Sequence, residues 1–154
     1  MGKDNRLAEG HGHRILNISH NIVMQDCLQS PTFSVDIAKK MRKYISMDAH
    51  IPYIDKIITI IVSLASPDQI ILFGSYARGD NNEKSDIDLL IVKKGLEKGR
   101  EISGLIYKAF LENGIGVPVD LLTVDFNRYK ELNNEIGYIY KTIKEEGKVI
   151  YGSL

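Results

Sequence analysis

Hydrophobic positions recur at regular spacings from Ile51 onward. Between residues 54 and 65 they lie three or four positions apart, with polar residues elsewhere on the helical wheel. This spacing predicts an amphipathic helix that starts near Pro52 and stops at Ser66 and Pro67. Residues 69–73 then form a short apolar, β-branched run before Gly74, which predicts a buried strand followed by a turn.

The remaining elements follow from the same two periodicities. A polar loop at 79–84 precedes a predicted strand over 86–92, a helix that ends near Gly114, and a third strand over 117–124. A helical stretch near 125–132 leads to a last amphipathic helix, closed by Gly147 and followed by a short strand over 149–151. The apolar residues assigned to that last helix are Ile136, Ile139, Tyr140 and Ile143.

The first 46 residues have a different composition, with scattered Gly, Asn, His and Ser and isolated apolar positions. A short helix over about 34–44 is the only element that their pattern indicates. We therefore expect a poorly structured or partly helical N-terminal extension over 1–46 and a single α/β domain over 47–154.

Composition narrows the classes of protein. The chain has 154 residues, of which 44% are apolar and 26% charged, as in one ordinary globular domain. Twenty basic residues balance twenty acidic ones, so direct nucleic-acid binding is not expected and any phosphate binding must be local. With no apolar run of about 18 residues and no secretory pattern at the start, we expect a cytoplasmic protein without a membrane span.

Three acidic residues stand out in apolar surroundings. Asp86 and Asp88 are two positions apart on a predicted strand, so their side chains point the same way, roughly 6.5–7 Å apart along the chain. Such a pair suits a shared site for hard cations. Asp120 lies inside the next apolar strand, where burying an unpaired carboxylate is costly, and a metal pair would give it a partner.

The pair Gly74 and Ser75 lies where the first strand ends and a short helix is expected to begin. Backbone N–H groups and the serine hydroxyl can hold phosphate oxygens there, and glycine permits close approach. Each feature alone has an ordinary structural explanation: a plain turn, a solvated strand edge or a satisfied structural acid. Their combination favours a phosphate and metal site.

The segment Gly74-Ser75-Tyr-Ala-Arg78-Gly79, followed by Ser85-Asp86-Ile-Asp88-Leu-Leu-Ile-Val, resembles the signature of minimal nucleotidyltransferases of the DNA polymerase β superfamily. The resemblance covers residues from about 51 to 151. It implies a palm-like α/β fold, a small mixed β-sheet with helices packed mainly on one face and the acids on the other.

The resemblance also implies a reaction: transfer of a nucleoside monophosphate, AMP from ATP, to an acceptor hydroxyl with release of pyrophosphate. Asp86 and Asp88 would bind two Mg²⁺ ions. Asp120 would complete the coordination of the ion next to the acceptor and help to take the proton of the acceptor hydroxyl. Gly74 and Ser75 would hold the β and γ phosphates. Arg78 would add charge to that clamp, and the alternative for Arg78 is an exposed side chain that solvates the short helix.

Larger members of the superfamily carry a further domain for the acceptor. About 34 residues follow Asp120, too few for such a domain, so we expect another molecule to bring the acceptor. Similar stand-alone members pair with a small helical toxin of the HEPN class, an RNase, and transfer AMP to its tyrosine, which makes an antitoxin the leading interpretation. One alternative keeps the same chemistry but transfers the nucleotide to the hydroxyl of a small molecule, with a homodimer supplying the missing wall of the site. Another is a non-catalytic antitoxin that neutralises its partner by binding, against which the three intact acids argue.

Overall fold

The computed structural model describes residues 51–152, which form a four-stranded sheet flanked by five helices. The predicted extension over 1–46 and the domain boundary at residue 47 lie outside these residues. In chain order the elements are α1 Ile54–Ala65, β1 Gln69–Phe73, α2 Gly74–Arg78, β2 Ile87–Lys93, α3 Gly99–Glu112, β3 Val119–Asp125, α4 Phe126–Leu132, α5 Ile139–Glu146 and β4 Lys148–Gly152.

The sheet is mixed, with strand order β3-β2-β1-β4. Strand β1 runs antiparallel to both β2 and β4, whereas β2 and β3 run parallel. Parallel neighbours cannot be joined by a tight hairpin, and α3 supplies the connection between β2 and β3. The α/β fold with a small mixed sheet, predicted from the sequence, is confirmed.

The two longest helices, α1 and α3, pack together over one face of the sheet. The helical spacing in α1 places Ile57, Ile58 and Ile61 at zero exposure, and each fully buried side chain of this size contributes about 1.5–3 kcal/mol. The helix ends at Ser66, whose φ of 44° is left-handed, directly before Pro67. The sheet residues on this face are Ile70, Leu72, Ile87, Leu89, Ile91 and Val119.

A smaller apolar cluster covers part of the opposite face. Tyr129 of α4 and Ile143 of α5 pack there against the sheet. Strand residues alternate between faces, so Asp88 lies on this second face together with Leu90 and Val92. The acids therefore lie away from the two long helices, at one end of a face that the two short helices partly cover. The sheet residues of the smaller cluster are Ile71, Leu90, Val92 and Val124.

Several predicted boundaries were wrong. The predicted second strand began at Asp86, but the ladder starts with the pair Ile87 and Val119, so Asp86 precedes β2. Strand β3 begins at Val119, not at residue 117, since Pro118 has no N–H to donate to a ladder. Ile136 was assigned to the last helix, yet it lies outside α5 and is 86% exposed, because Gly137 turns the chain with φ of 92°.

No helix within residues 51–152 is both long enough and apolar enough to span a membrane.

Candidate active site

The turn between β1 and α2 brings the backbone against an acidic side chain. Phe73 is extended, and Gly74 follows with φ of 67°, a left-handed conformation that favours glycine. A Cβ at Gly74 would overlap the Oδ2 atom of Asp88 and lie 2.9 Å from its Cγ. The chain therefore needs glycine here both for its conformation and for space. The predicted change from strand to short helix at Gly74 is confirmed.

Asp88 lies at the centre of the candidate site. Its Cα pairs with Phe73 across the antiparallel ladder to β1 and with Asp120 across the parallel ladder to β3. Paired residues on neighbouring strands point to the same face, so the Asp88 and Asp120 side chains are neighbours. Asp86 lies two residues earlier, directly before the strand. The structure thus brings together the three acids that the sequence singled out.

Like charges and burial act together on Asp88. Partial burial raises the pKa of its carboxyl, the charges of Asp120 and Asp86 raise this pKa further, and the charge of Arg78 opposes them. Asp88 is half-buried, whereas Asp86 and Asp120 are exposed. In the part of the chain that the structure describes, no donor makes a hydrogen bond to the Asp88 side chain. The negative charge of an ionised Asp88 therefore has too few stabilising partners, and a bound cation would stabilise it.

The donor chemistry of the three acids fits magnesium, which prefers a few carboxylate oxygens with water and phosphate in the remaining positions. The acids interact electrostatically, but among residues 51–152 no three His, Cys, Asp or Glu side chains are grouped closely enough to form a ligand cluster. Magnesium coordination by Asp86, Asp88 and Asp120 therefore stays a prediction, supported by the charge imbalance around Asp88.

Ser75 is the second residue of the short helix α2. The Ser75 carbonyl accepts hydrogen bonds from the N–H groups of Gly79 and Asp80, at 2.8 and 3.1 Å, and these bonds close the short helix. The Ser75 hydroxyl makes no hydrogen bond with a described residue. Its predicted role toward phosphate stays a prediction.

Arg78 is the last residue of α2, and two acids hold its guanidinium. Its Nε lies 3.2 Å from Asp80 Oδ2, and its Nη1 lies 3.5 Å from Glu146 Oε2. The hydrogen bond to Asp80, followed by the charge of Asp80 and the contact with Glu146, raises the pKa of Arg78. The two roles expected for Arg78 were a contact with phosphate and solvation of the short helix, and neither includes this pairing with two acids.

Asp125 is a structural residue whose role the sequence analysis missed. It is the N-cap of α4, and its Oδ1 accepts hydrogen bonds from the N–H groups of Asn127 and Arg128. Its Oδ2 accepts from Gly95 and Leu96 in the loop after β2. Burial alone would raise the pKa of Asp125, but these four N–H groups lower it overall. An aspartate at the start of the predicted helical stretch is the signal that could have identified this cap.

Tyr107 of α3 contacts the edge strand β3 next to Asp120. Its hydroxyl accepts a hydrogen bond of 3.0 Å from the N–H of Leu121, the residue after Asp120 in edge strand β3. Its ring packs edge-on against Phe110, with centroids 6.3 Å apart. No periodicity in the sequence indicates this contact, because it joins a helix to a strand through their tertiary packing.

The mixed sheet presents the paired acids Asp88 and Asp120 beside a glycine-led turn, an arrangement whose chemistry suits a phosphate substrate. Residues 54–150 match the nucleotidyltransferase domain, and the chain belongs to that family of enzymes. The enzyme class predicted from the sequence is therefore confirmed.

The chain is also similar to several proteins of Methanocaldococcus jannaschii that are named as inferred protein adenylyltransferases. One is 37% identical over 84 residues, which make up 54% of this chain and 77% of the relative. A second is 38% identical over 79 residues, covering 50% of this chain and 70% of the relative. A third is 64% identical over 31 residues, covering 20% and 21%.

Two solved structures are similar as well. The crystal structure of a toxin-antitoxin with AMP-PNP covers 64% of this chain and 73% of its own, with 25% identity and a TM-score of 0.48. The crystal structure of an inferred nucleotidyltransferase from Sulfolobus solfataricus covers 64% and 78%, with 24% identity and a TM-score of 0.36.

Proposed function

We propose that this nucleotidyltransferase moves AMP from ATP to a hydroxyl group of a partner protein in a magnesium-dependent reaction. The pairing of Asp88 with Asp120 beside Gly74 carries the proposal, because it sets two neighbouring carboxylates, one of them half-buried, next to a backbone turn. Family membership supports the transfer of a nucleotide. The relatives named as inferred protein adenylyltransferases support AMP as the group and a protein as the acceptor.

In this proposal Asp86 and Asp88 would hold two Mg²⁺ ions, and Asp120 would be a further ligand of the ion on the acceptor side. When bound, the ions supply Lewis-acid stabilisation of the departing pyrophosphate and lower the pKa of the acceptor hydroxyl. Asp88, as the most buried of the three acids, fixes the position of the site relative to the sheet. Asp120 is exposed, so it can reach an acceptor that arrives from solvent and take up its proton.

The transfer forms one bond and breaks one. The acceptor oxygen attacks the α-phosphorus of ATP, a new P–O bond forms, and the bond from the α-phosphorus to the bridging oxygen breaks. Pyrophosphate leaves with that electron pair, and the hydroxyl proton passes to Asp120 and then to solvent. Gly74 and Ser75 bind the β and γ phosphates through backbone N–H groups and the serine hydroxyl, and Arg78 adds positive charge.

For the acceptor we propose a tyrosine of a small helical partner of the HEPN toxin class, so that the chain acts as its antitoxin. The resemblance to stand-alone minimal nucleotidyltransferases that pair with such toxins supports this choice. Exposed apolar side chains in the loop after α4 and at the start of α5 offer contact area for such a partner. Since the reaction consumes ATP, we propose that it takes place in the cytoplasm. The apolar side chains in question are Ile136, Tyr138 and Ile139.

The experiment follows α-labelled ATP into protein, with Mg²⁺ present and with the candidate partner added or left out. Label should appear on a tyrosine of the partner with the wild-type chain and with Glu145→Gln, an exposed change on α5, but not with Asp86→Asn. Tight complex formation without label would show a binding antitoxin. Label only on an added small-molecule alcohol would move the acceptor to the small-molecule class.

A further inference from the structure

The guanidinium of Arg78 lies between two groups of acids. On one side Asp80 and Glu146 contact it directly, at 3.2 and 3.5 Å. On the other side, Arg78 lies one helical turn after Gly74, the residue that lies against the Asp88 carboxylate. Its charge opposes the effect of burial and of the neighbouring acids on Asp88. All three contacting side chains are well exposed, at 46% for Arg78, 62% for Asp80 and 44% for Glu146, so the arrangement can change without unpacking the core.

A guanidinium near metal-binding carboxylates works against the metal. Among the charges that shift the pKa of Asp88, that of Arg78 is positive and favours the ionised carboxylate. If it moved onto Asp88 it would form the charge-assisted pair that arginine and carboxylate favour, and it would compete with a divalent ion for the same oxygens. Even without such a move, its positive charge lowers the attraction of the site for cations.

Glu146 holds Arg78 from a different element. It is the last residue of α5, while Arg78 ends α2, and these two helices pack against each other. A carboxylate at the C-terminus of a helix is unfavourable toward the helix dipole, and the arginine offsets this cost. Gly147, directly after Glu146, lets the end of α5 lie close to β1. A Cβ at this position would overlap the Ile143 carbonyl oxygen and lie 2.7 Å from the Ile71 side chain.

We propose that Glu146, together with Asp80, is a positioning residue that holds Arg78 off Asp88 and thereby keeps the acids open to divalent cations before the triphosphate binds. The inference rests on the proposed function, in which Asp86, Asp88 and Asp120 bind those cations. Removing the Glu146 charge leaves the guanidinium held by Asp80 without Glu146, so that it can shift toward Asp88, and leaves its positive charge less neutralised. Both effects weaken cation binding.

The test measures binding of Mn²⁺ alone to the full chain without nucleotide, by the electron paramagnetic resonance signal of the free ion. Glu146→Gln should weaken Mn²⁺ binding roughly two- to fivefold, the range that exposed ion pairs reach. Glu145→Gln is the matched control, because Glu145 neighbours Glu146 in α5 and pairs only loosely with Lys141, at 4.0 Å. It should leave Mn²⁺ binding unchanged, and thermal unfolding of both variants checks that they fold.

A second pair of variants shows whether the effect passes through Arg78. In the Arg78→Gln background, Glu146→Gln should no longer weaken Mn²⁺ binding, because the group it positions is gone. Equal weakening in both backgrounds would mean that Glu146 acts on the ion directly and would overturn the inference. Weakening of the same size in Glu145→Gln would also overturn it, since any nearby charge would then suffice.

Failure of the metal site itself gives a different result. If the wild-type chain binds no Mn²⁺, or binds it as well after Asp88→Asn, the proposed metal site falls together with this inference. If Mn²⁺ binds and Asp88→Asn abolishes it, the site stands, and the Glu146 variants alone decide the role of the acids around Arg78.

Discussion

Asp120 lies directly beside Asp88 as its partner in the parallel ladder between β3 and β2. The crossover through α3 makes this pairing possible, because it returns the chain to run parallel to β2. Two carboxylates on adjacent strands repel each other, and the partial burial of Asp88 strengthens the effect. The fold therefore keeps an electrostatically unfavourable pair of carboxylates, which a bound cation would stabilise. Perturbed carboxylates of this kind are common at functional sites.

Asp88→Asn should abolish transfer and stabilise the metal-free protein. The change removes a proposed metal ligand, so activity should fall more than about 100-fold, beyond the usual loss for residues that only support a metal ligand. The free energy of unfolding should rise at neutral pH, because an ionised carboxylate that burial and like charges disfavour is replaced by a neutral amide. Labelled-nucleotide transfer and urea denaturation measure the two effects.

The gain in stability should depend on pH with a defined sign. The pKa of Asp88 is raised in the folded protein, so its ionised form opposes folding above that pKa. As pH falls through the folded pKa toward the ordinary value of 3.8, the carboxyl becomes protonated and the advantage of the asparagine should shrink. Asp55→Asn, on the exposed side of α1, is the control and should keep its activity. An Asp88→Asn protein less stable than wild type at neutral pH would contradict the argument.

Gly74→Ala should cost far more than an ordinary glycine substitution. At φ of 67° an alanine is strained by about 1–2 kcal/mol, and its Cβ would also overlap the Asp88 carboxylate. Gly114→Ala is the matched control, since Gly114 has φ of 66° and open space around the added Cβ. Urea denaturation should show a larger loss for Gly74→Ala, and only this variant should lose transfer. Equal losses in both would mean that backbone strain alone explains the glycine.

Much of the fold could be predicted from the sequence because the elements depend on local periodicity. Apolar residues at helical spacing identified α1 and α3, and short β-branched runs identified the strands. Asp86 and Asp88 were recognisable from their alternate spacing in a strand-like run, and Asp120 from its place in an apolar strand. The expectation that Asp120 would be costly to bury was wrong, because Asp120 is exposed and Asp88 is the half-buried acid. The strand order and the register that pairs Asp88 with Asp120 depend on long-range contacts, and no local pattern encodes those.

The interactions that the sequence did not reveal share the same cause. Glu146 and Arg78 are far apart in the chain and meet only because α5 packs on α2. Tyr107 reaches Leu121 only because α3 folds back beside β3. Sequence spacing identifies groups with suitable chemistry, whereas tertiary packing decides which of them contact one another.

Asp125→Asn should destabilise the fold in a pH-dependent way without affecting cation binding. The pKa of Asp125 is lowered in the folded protein, since four N–H groups favour the charged form over the effect of burial. Its contribution is therefore present above the ordinary value of 3.8 and is lost as pH falls through the lower folded pKa. The difference in unfolding free energy between wild type and variant should shrink over that range.

Denaturation at several pH values checks the Asp125 prediction, and Mn²⁺ binding near neutral pH provides its control. The asparagine retains a side-chain oxygen for the cap but loses the charge that strengthens all four bonds. A destabilisation that stays constant down to the most acidic pH would show that the charge of Asp125 is not what matters.

Tyr107→Phe should loosen the edge strand that carries Asp120. The change removes the oxygen that accepts the Leu121 N–H but keeps the ring that packs on Phe110. Water can replace the lost partner at an exposed edge, so the free energy of unfolding should fall by only about 0.5–1 kcal/mol. Hydrogen exchange at the Leu121 amide should become faster, as strand β3 opens more often. Tyr138→Phe is the control, because the exposed Tyr138 hydroxyl makes no hydrogen bond with a described residue. Unchanged Leu121 exchange in Tyr107→Phe would refute the stabilising role of Tyr107 at this edge strand.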